Sequence, residues 1–178
     1  FNPGGLLTEA VSVANTFGAA AKVNTVPPSS YKWSKGQLAA RMHFINCHGN
    51  ASSVDFYGQP TGVEDYPISH HAPWINGKIT AGTVVAVECC FGGQLWDPVD
   101  AGGGVPMPIA YLQDGALGFF GSTNTAYGPS EGNGSADLIC QYFLQQVLLG
   151  ASMGRATLEA RLKFAAGKTH LDPFDLKT

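Results

Sequence analysis

A histidine followed by glycine, His48-Gly49, stands 42 positions ahead of Cys90, the second of two adjacent cysteines that run into Phe91-Gly92-Gly93. An imidazole near a thiol lowers the thiol pKa and later returns a proton to a leaving group, which is the chemistry of a cysteine nucleophile. Acyl transfer also needs backbone N–H donors for the oxyanion, and a glycine beside a reacting residue lets the chain approach closely enough to supply one. Taken singly, His48 reads as an ordinary strand-end histidine, and Cys90 as a small buried hydrophobe. Gly49 after the first and the glycines after the second favour chemistry for both. Cys47 reads as a packing residue. Residues two apart on a strand share a face, so Glu88 looks toward the same region as Cys90, and Cys89 looks the other way. A carboxylate near a working thiol disfavours the thiolate. Glu88 therefore reads either as a receptor for a substrate cation or as an internally paired group, with Arg41 one candidate partner.

Other chemistry-bearing residues are weaker. His70-His71 are adjacent and lack the separated pairs of structural zinc sites, so they read as loop residues, and no metal is expected. Asp97 and Asp100 flank a proline in a glycine-rich loop but lack a full calcium-loop pattern. Ser122 and Thr123 follow an apolar run, where they either bind an extended substrate backbone or cap a turn. Gly102-Gly103-Gly104 has no following lysine and is no phosphate loop.

These residues must be positioned by regular elements. Leu6, Leu7, Ala10, Val11, Ala14 and Phe17 recur at helical spacing ahead of Gly18. Met42 to Asn46 reads as a strand that ends in a turn at His48-Gly49. Residues 50–82 are rich in Gly, Pro, Ser and Asn and read as a long surface excursion. Thr83 to Val87 is a continuous β-branched run, the clearest buried strand, and Ala116 to Phe120 reads as a third. Two helices follow. The first has Ser135 as N-cap and runs to Gly150. The second runs from Ser152 to Gly167, with Leu158 and Leu162 in its core stripe and a Glu159–Lys163 pair outside. Apolar strands separated by helices or long connections predict a parallel sheet covered on both faces, with ligands at the carboxyl ends of its strands. Three such ends carry His48, Cys90 and Ser122-Thr123.

The chain has 178 residues, 44% hydrophobic and 13% charged, which suits one globular domain with its own core. The net charge of −3 and the absence of a basic run exclude a phosphate-binding surface for nucleic acid. No apolar stretch is long enough to span a bilayer, and Phe1 to Gly5 do not form a signal peptide. Four cysteines are too few for a disulfide scaffold. A bond between neighbours Cys89 and Cys90 would be strained, so free thiols are expected there.

A hydrophobic strand ending in His-Gly, then one ending in Glu88-Cys89-Cys90-Phe91-Gly92-Gly93, resembles the caspase–legumain–clostripain–gingipain clan of cysteine peptidases. Gly118 to Thr123, Ala126 to Pro129 and Gly154 to Arg161 resemble the later part of bacterial gingipain-like domains, so the likeness spans roughly residues 42–166. The resemblance implies a caspase-like three-layer α/β/α sandwich around a mostly parallel sheet, with residues 1–178 as a single peptidase core. It implies a cofactor-free Cys–His dyad in which Cys90 attacks the scissile carbonyl and His48 handles the proton. Backbone N–H groups of Gly49 and Cys90 would form the oxyanion hole, and Glu88 would direct cleavage after Arg or Lys. Ser122 and Thr123 would hold a peptide or protein substrate. Relatives have further strands before the first helix and after the last, so a flanking segment or second chain is expected to complete the sheet. They also suggest a secreted or extracytoplasmic setting. Two rival readings remain: an inactive binding module on a peptidase fold, and a thiol redox or metal site built on Cys47, His48, Cys89 and Cys90.

Overall fold

A computed structural model describes residues 3–59, 65–128, 133–168 and 170–171. In chain order its elements are α1 (Pro3–Phe17), β1 (Met42–Asn46), β2 (His48–Gly49), β3 (Asp55–Tyr57), β4 (Ile68–His71), α2 (Ala72–Ile75), β5 (Val84–Glu88), α3 (Met107–Gln113), β6 (Gly118–Gly121), α4 (Ser135–Leu148) and α5 (Met153–Ala166). The β-branched run becomes β5, buried at all five positions. It is the middle strand of a parallel sheet ordered β1-β5-β6. A strand apolar on both faces must be covered on both, and β5 is. Val85, Val87 and Cys89 pack with Ile75 of α2, with Met107 and Tyr111 of α3, and with Trp33 and Leu38. Val84 and Ala86 pack with Ile139, Phe143 and Leu144 of α4 and with Ala156, Ala160 and Phe164 of α5. Phe120 of β6 stacks on Phe143 with ring centroids 4.4 Å apart. The chain is thus a mixed α/β protein with a three-stranded parallel sheet at its centre.

Several local expectations change. Residues 50–82 are not merely a surface excursion, although 60–64 lie outside the described residues. Here β2, β3 and β4 form a small antiparallel sheet, with His48 opposite Tyr57 and Phe56 opposite His70. Its Phe56 and the neighbouring Ala72 and Ile75 are buried in the core. Alternation was hard to see there because each strand is only two to four residues long. Helix α3 falls in a stretch for which the sequence predicts no element. Strand β6 begins at Gly118, two residues later than expected.

The helices also differ in detail. In α1, Gly18 adopts φ +88° as the stop, with its N–H on the Ala14 carbonyl. Its buried face carries Ser12 and Thr16, while Val11 is exposed. Polar contacts to α4 explain this: Gln141 donates to Ser12 Oγ (3.2 Å), and Asn15 donates to Gln141 (3.3 Å). Ser135 lies inside α4 at φ +43° and is not its N-cap; Asp137 accepts the Gly134 N–H instead (3.5 Å). Helix α5 begins near Ser152 as expected, and Ser152 caps it by accepting the Arg155 N–H. Leu158 and Leu162 point outward, and α5 buries its small Ala156 and Ala160 against α4. Glu159 pairs with Arg155, and Lys163 lies over the Tyr142 ring at 4.0 Å.

Candidate functional site

The parallel pairing of β1 with β5 carries two reactive residues to one edge. Asn46 stands opposite Glu88, and the ladder continues for one bond, from the Cys47 N–H to the Glu88 carbonyl (3.2 Å). His48 and Cys90 follow at the carboxyl ends of the two strands. A Cβ on Gly49 would meet the Cys90 carbonyl oxygen at 2.0 Å, so glycine is what lets the two strand ends touch. After Cys90 the chain turns sharply, with Phe91 at φ +56°. The Phe91 and Gly93 N–H groups donate to the carbonyls of Asn124 and Ser122, each at 2.8 Å, tying this turn to the segment after β6. Among the described residues nothing accepts the Cys90 N–H. A free backbone donor beside a thiol is the arrangement an oxyanion requires.

Cys90 is half-buried and its thiol donates to the Ala126 carbonyl at 3.4 Å. His48 is exposed; its Nε2 lies 2.8 Å from Gln59 Oε1, and its ring packs nearly perpendicular to that of Tyr66 with centroids 4.8 Å apart. The two side chains share a strand edge without a hydrogen bond between them. His48 is instead held by Gln59, and Cys90 by the Ala126 carbonyl.

Glu88 is only 7% exposed and accepts a hydrogen bond from Asn46 Nδ2 at 3.0 Å. The same amide lies 3.4 Å from Asp137. A Cβ on Gly128 would sit 2.5 Å from Glu88 Oε1 and 3.6 Å from Asp137 Oδ2, so the chain at Gly128 covers both carboxylates. Burial, then these two charges, push the Cys140 thiol well above the ordinary range. Cys89 lies on the opposite face of β5, buried among Val85 and Val87. All four cysteines are free thiols.

Ser122 forms a local turn, donating to the Asn124 carbonyl (3.0 Å) and accepting the Asn124 N–H (3.2 Å). With exposed Thr123 it borders a cavity of about 70 Å³ also lined by Ala126, Ile139, Cys140 and Arg161. Gln59, Tyr66, Ala126 and Arg161 went unnoticed in the sequence as site residues. Loop residues of common types carry no pattern, and Arg161 sits on a helix whose spacing spoke only of packing. His70 and His71 are strand residues of β4. His71 Nδ1 lies 2.6 Å from Asp55, while burial, and then the charge of His43, lower the His70 pKa to about 3. Asp97 accepts the Val99 N–H and caps a short 3₁₀ turn. Among the described residues no three His, Cys, Asp or Glu side chains converge as metal ligands. Nor is any described helix long and apolar enough to cross a membrane. No protein-family model, no curated protein and no solved structure matches this chain.

Proposed function

We propose that the protein is a cysteine endopeptidase core of caspase-like, gingipain-like architecture, in which Cys90 is the nucleophile and His48 the proton carrier. The observation that supports this most is the meeting of two parallel strand ends, His48-Gly49 and Cys90, with Gly49 pressed on the Cys90 carbonyl and no acceptor for the Cys90 N–H among the described residues. Attack by the Cys90 thiolate places negative charge on the former carbonyl oxygen, where the Cys90 N–H and that of Gly49 stabilise it. His48, released from Gln59, takes the thiol proton and passes it to the leaving amine. Water then hydrolyses the acyl-enzyme and frees the thiol.

Ser122, Thr123 and the cavity they border provide the surface for the substrate chain. Cleavage after Arg or Lys rests on Glu88, and a substrate cation reaches that carboxylate only if the segment at Gly128 moves aside. The partner is a peptide or protein, with a flanking segment or second chain adding strands to the sheet edges. The reading is tested by treating the native protein with a peptide chloromethyl ketone and weighing it intact. One adduct, mapped to Cys90 and lost in His48→Ala, supports the dyad. Absence of any adduct leaves a non-catalytic binding module.

A further inference from the structure

The mechanism makes no use of Cys47 or Cys89, yet the fold sets them side by side. One residue beyond the Asn46–Glu88 pairing, the continuing register puts Cys47 directly opposite Cys89, and the Cys47 N–H bond to the Glu88 carbonyl keeps the strands paired there. Both side chains point to the same sheet face, in the cluster of Val85, Val87 and Tyr111. Cys89 is buried there and Cys47 is packed against the same cluster. Glycines clear the space around the Cys89 sulfur, since a Cβ at Gly49 or Gly92 would lie 3.0 or 2.7 Å from it. Cys90 turns to the other side, toward Ala126, and Cys140 packs in the cluster on that other face.

We propose that Cys47 and Cys89 form a reversible disulfide that staples β1 to β5 immediately behind the His48 and Cys90 ends. Neighbouring strands run about 4.8 Å apart, within the Cα separations a disulfide spans, so the bridge forms without moving the backbone far. The oxidant is a low-molecular-mass disulfide such as glutathione disulfide. The half-buried Cys47, as thiolate, attacks one of its sulfurs, forming a mixed disulfide and expelling one small thiolate. Cys89 gives up its proton and attacks the Cys47 sulfur, expelling the second. Two protein thiols lose two electrons and two protons, and the small disulfide gains both to become two thiols. Cys47 is half-buried and Cys89 fully buried, so Cys47 is the thiol the small disulfide reaches, and burial, which holds the Cys89 thiol well above its usual range, makes the second step the slow one.

The inference does not depend on peptidase activity. Wild type and Cys90→Ala are equilibrated in glutathione buffers of graded redox ratio, quenched in acid, alkylated after unfolding and weighed intact. The expected result in both is an oxidised species short of two alkylatable thiols, whose unreduced digest joins the peptides bearing Cys47 and Cys89. Cys47→Ser abolishes it, and the oxidised form unfolds about 5–10 °C higher. Full alkylation at every ratio, four thiols in wild type and three in Cys90→Ala, would overturn the proposal. So would oxidation confined to Cys90 or Cys140 with Cys47 and Cys89 free.

Discussion

At Gly49 an added methyl would fall 2.0 Å from the Cys90 carbonyl oxygen and 3.0 Å from the Cys89 sulfur, so alanine there must push the His48 turn off the Cys90 strand. Gly49→Ala is expected to destabilise the fold by about 1–3 kcal/mol and to cost activity beyond that, both read by urea unfolding and peptide turnover. Gly154→Ala meets nothing within 4 Å and should be neutral or stabilising by up to about 1 kcal/mol. His70 and His43, both lowered by burial, contribute a pH dependence, and His70 is the clearer case. Its Nδ1 is buried without a partner, and burial, then the charge of His43, hold its pKa at about 3. In the unfolded chain it takes a proton below about pH 6.5. Between those values the unfolded state binds more protons, so stability falls as pH is lowered, by at most about 1.4 kcal/mol per unit. His70→Phe should flatten that slope in chemical unfolding curves taken from pH 7 to pH 4. That His48-Gly49 and Cys90 end neighbouring strands was legible because the apolar runs before them and the glycines after them are informative at short range. The Gln59 and Ala126 partners were not, because a single amide or carbonyl contact leaves no trace in spacing.

Elements were legible in proportion to their periodicity. The continuous apolar run of β5 and the start of α5 near Ser152 are visible in the sequence and present in the fold. The β2–β3–β4 sheet is not visible, since strands this short depend on tertiary partners such as Phe56 in the core. The α5 stripe misled for a different reason. Close packing on α4 favours small residues, so Ala156 and Ala160 are buried while Leu158 and Leu162 are 49% and 55% exposed. Leu162→Ala should therefore change stability by no more than about 0.5 kcal/mol. Phe143→Ala, fully buried and stacked on Phe120, should cost about 3–5 kcal/mol. Denaturant midpoints of the two variants, compared with wild type, measure the difference.

At the scale of the whole molecule, a parallel sheet covered by helices on both faces brings His48, Cys90 and the Ser122-Thr123 turn to one end, as expected of such sheets. Behind that end lies a polar network in which Asn46 bridges Glu88 and Asp137, and Ser12 of α1 reaches the same Asp137 (3.5 Å). The network joins the strands of the proposed dyad to α1 and α4. Cys90, and not its neighbour Cys89, is the residue proposed to perform peptide-bond cleavage. The most direct test is turnover of fluorogenic peptides bearing Arg, Lys, Asn or Asp before the scissile bond, by full-length wild type, Cys90→Ala and Cys89→Ala. Wild type is expected to cleave, with activity retained in Cys89→Ala and reduced by at least about a thousandfold in Cys90→Ala. Loss confined to Cys89→Ala, or no cleavage of any peptide by the wild type, would contradict that assignment.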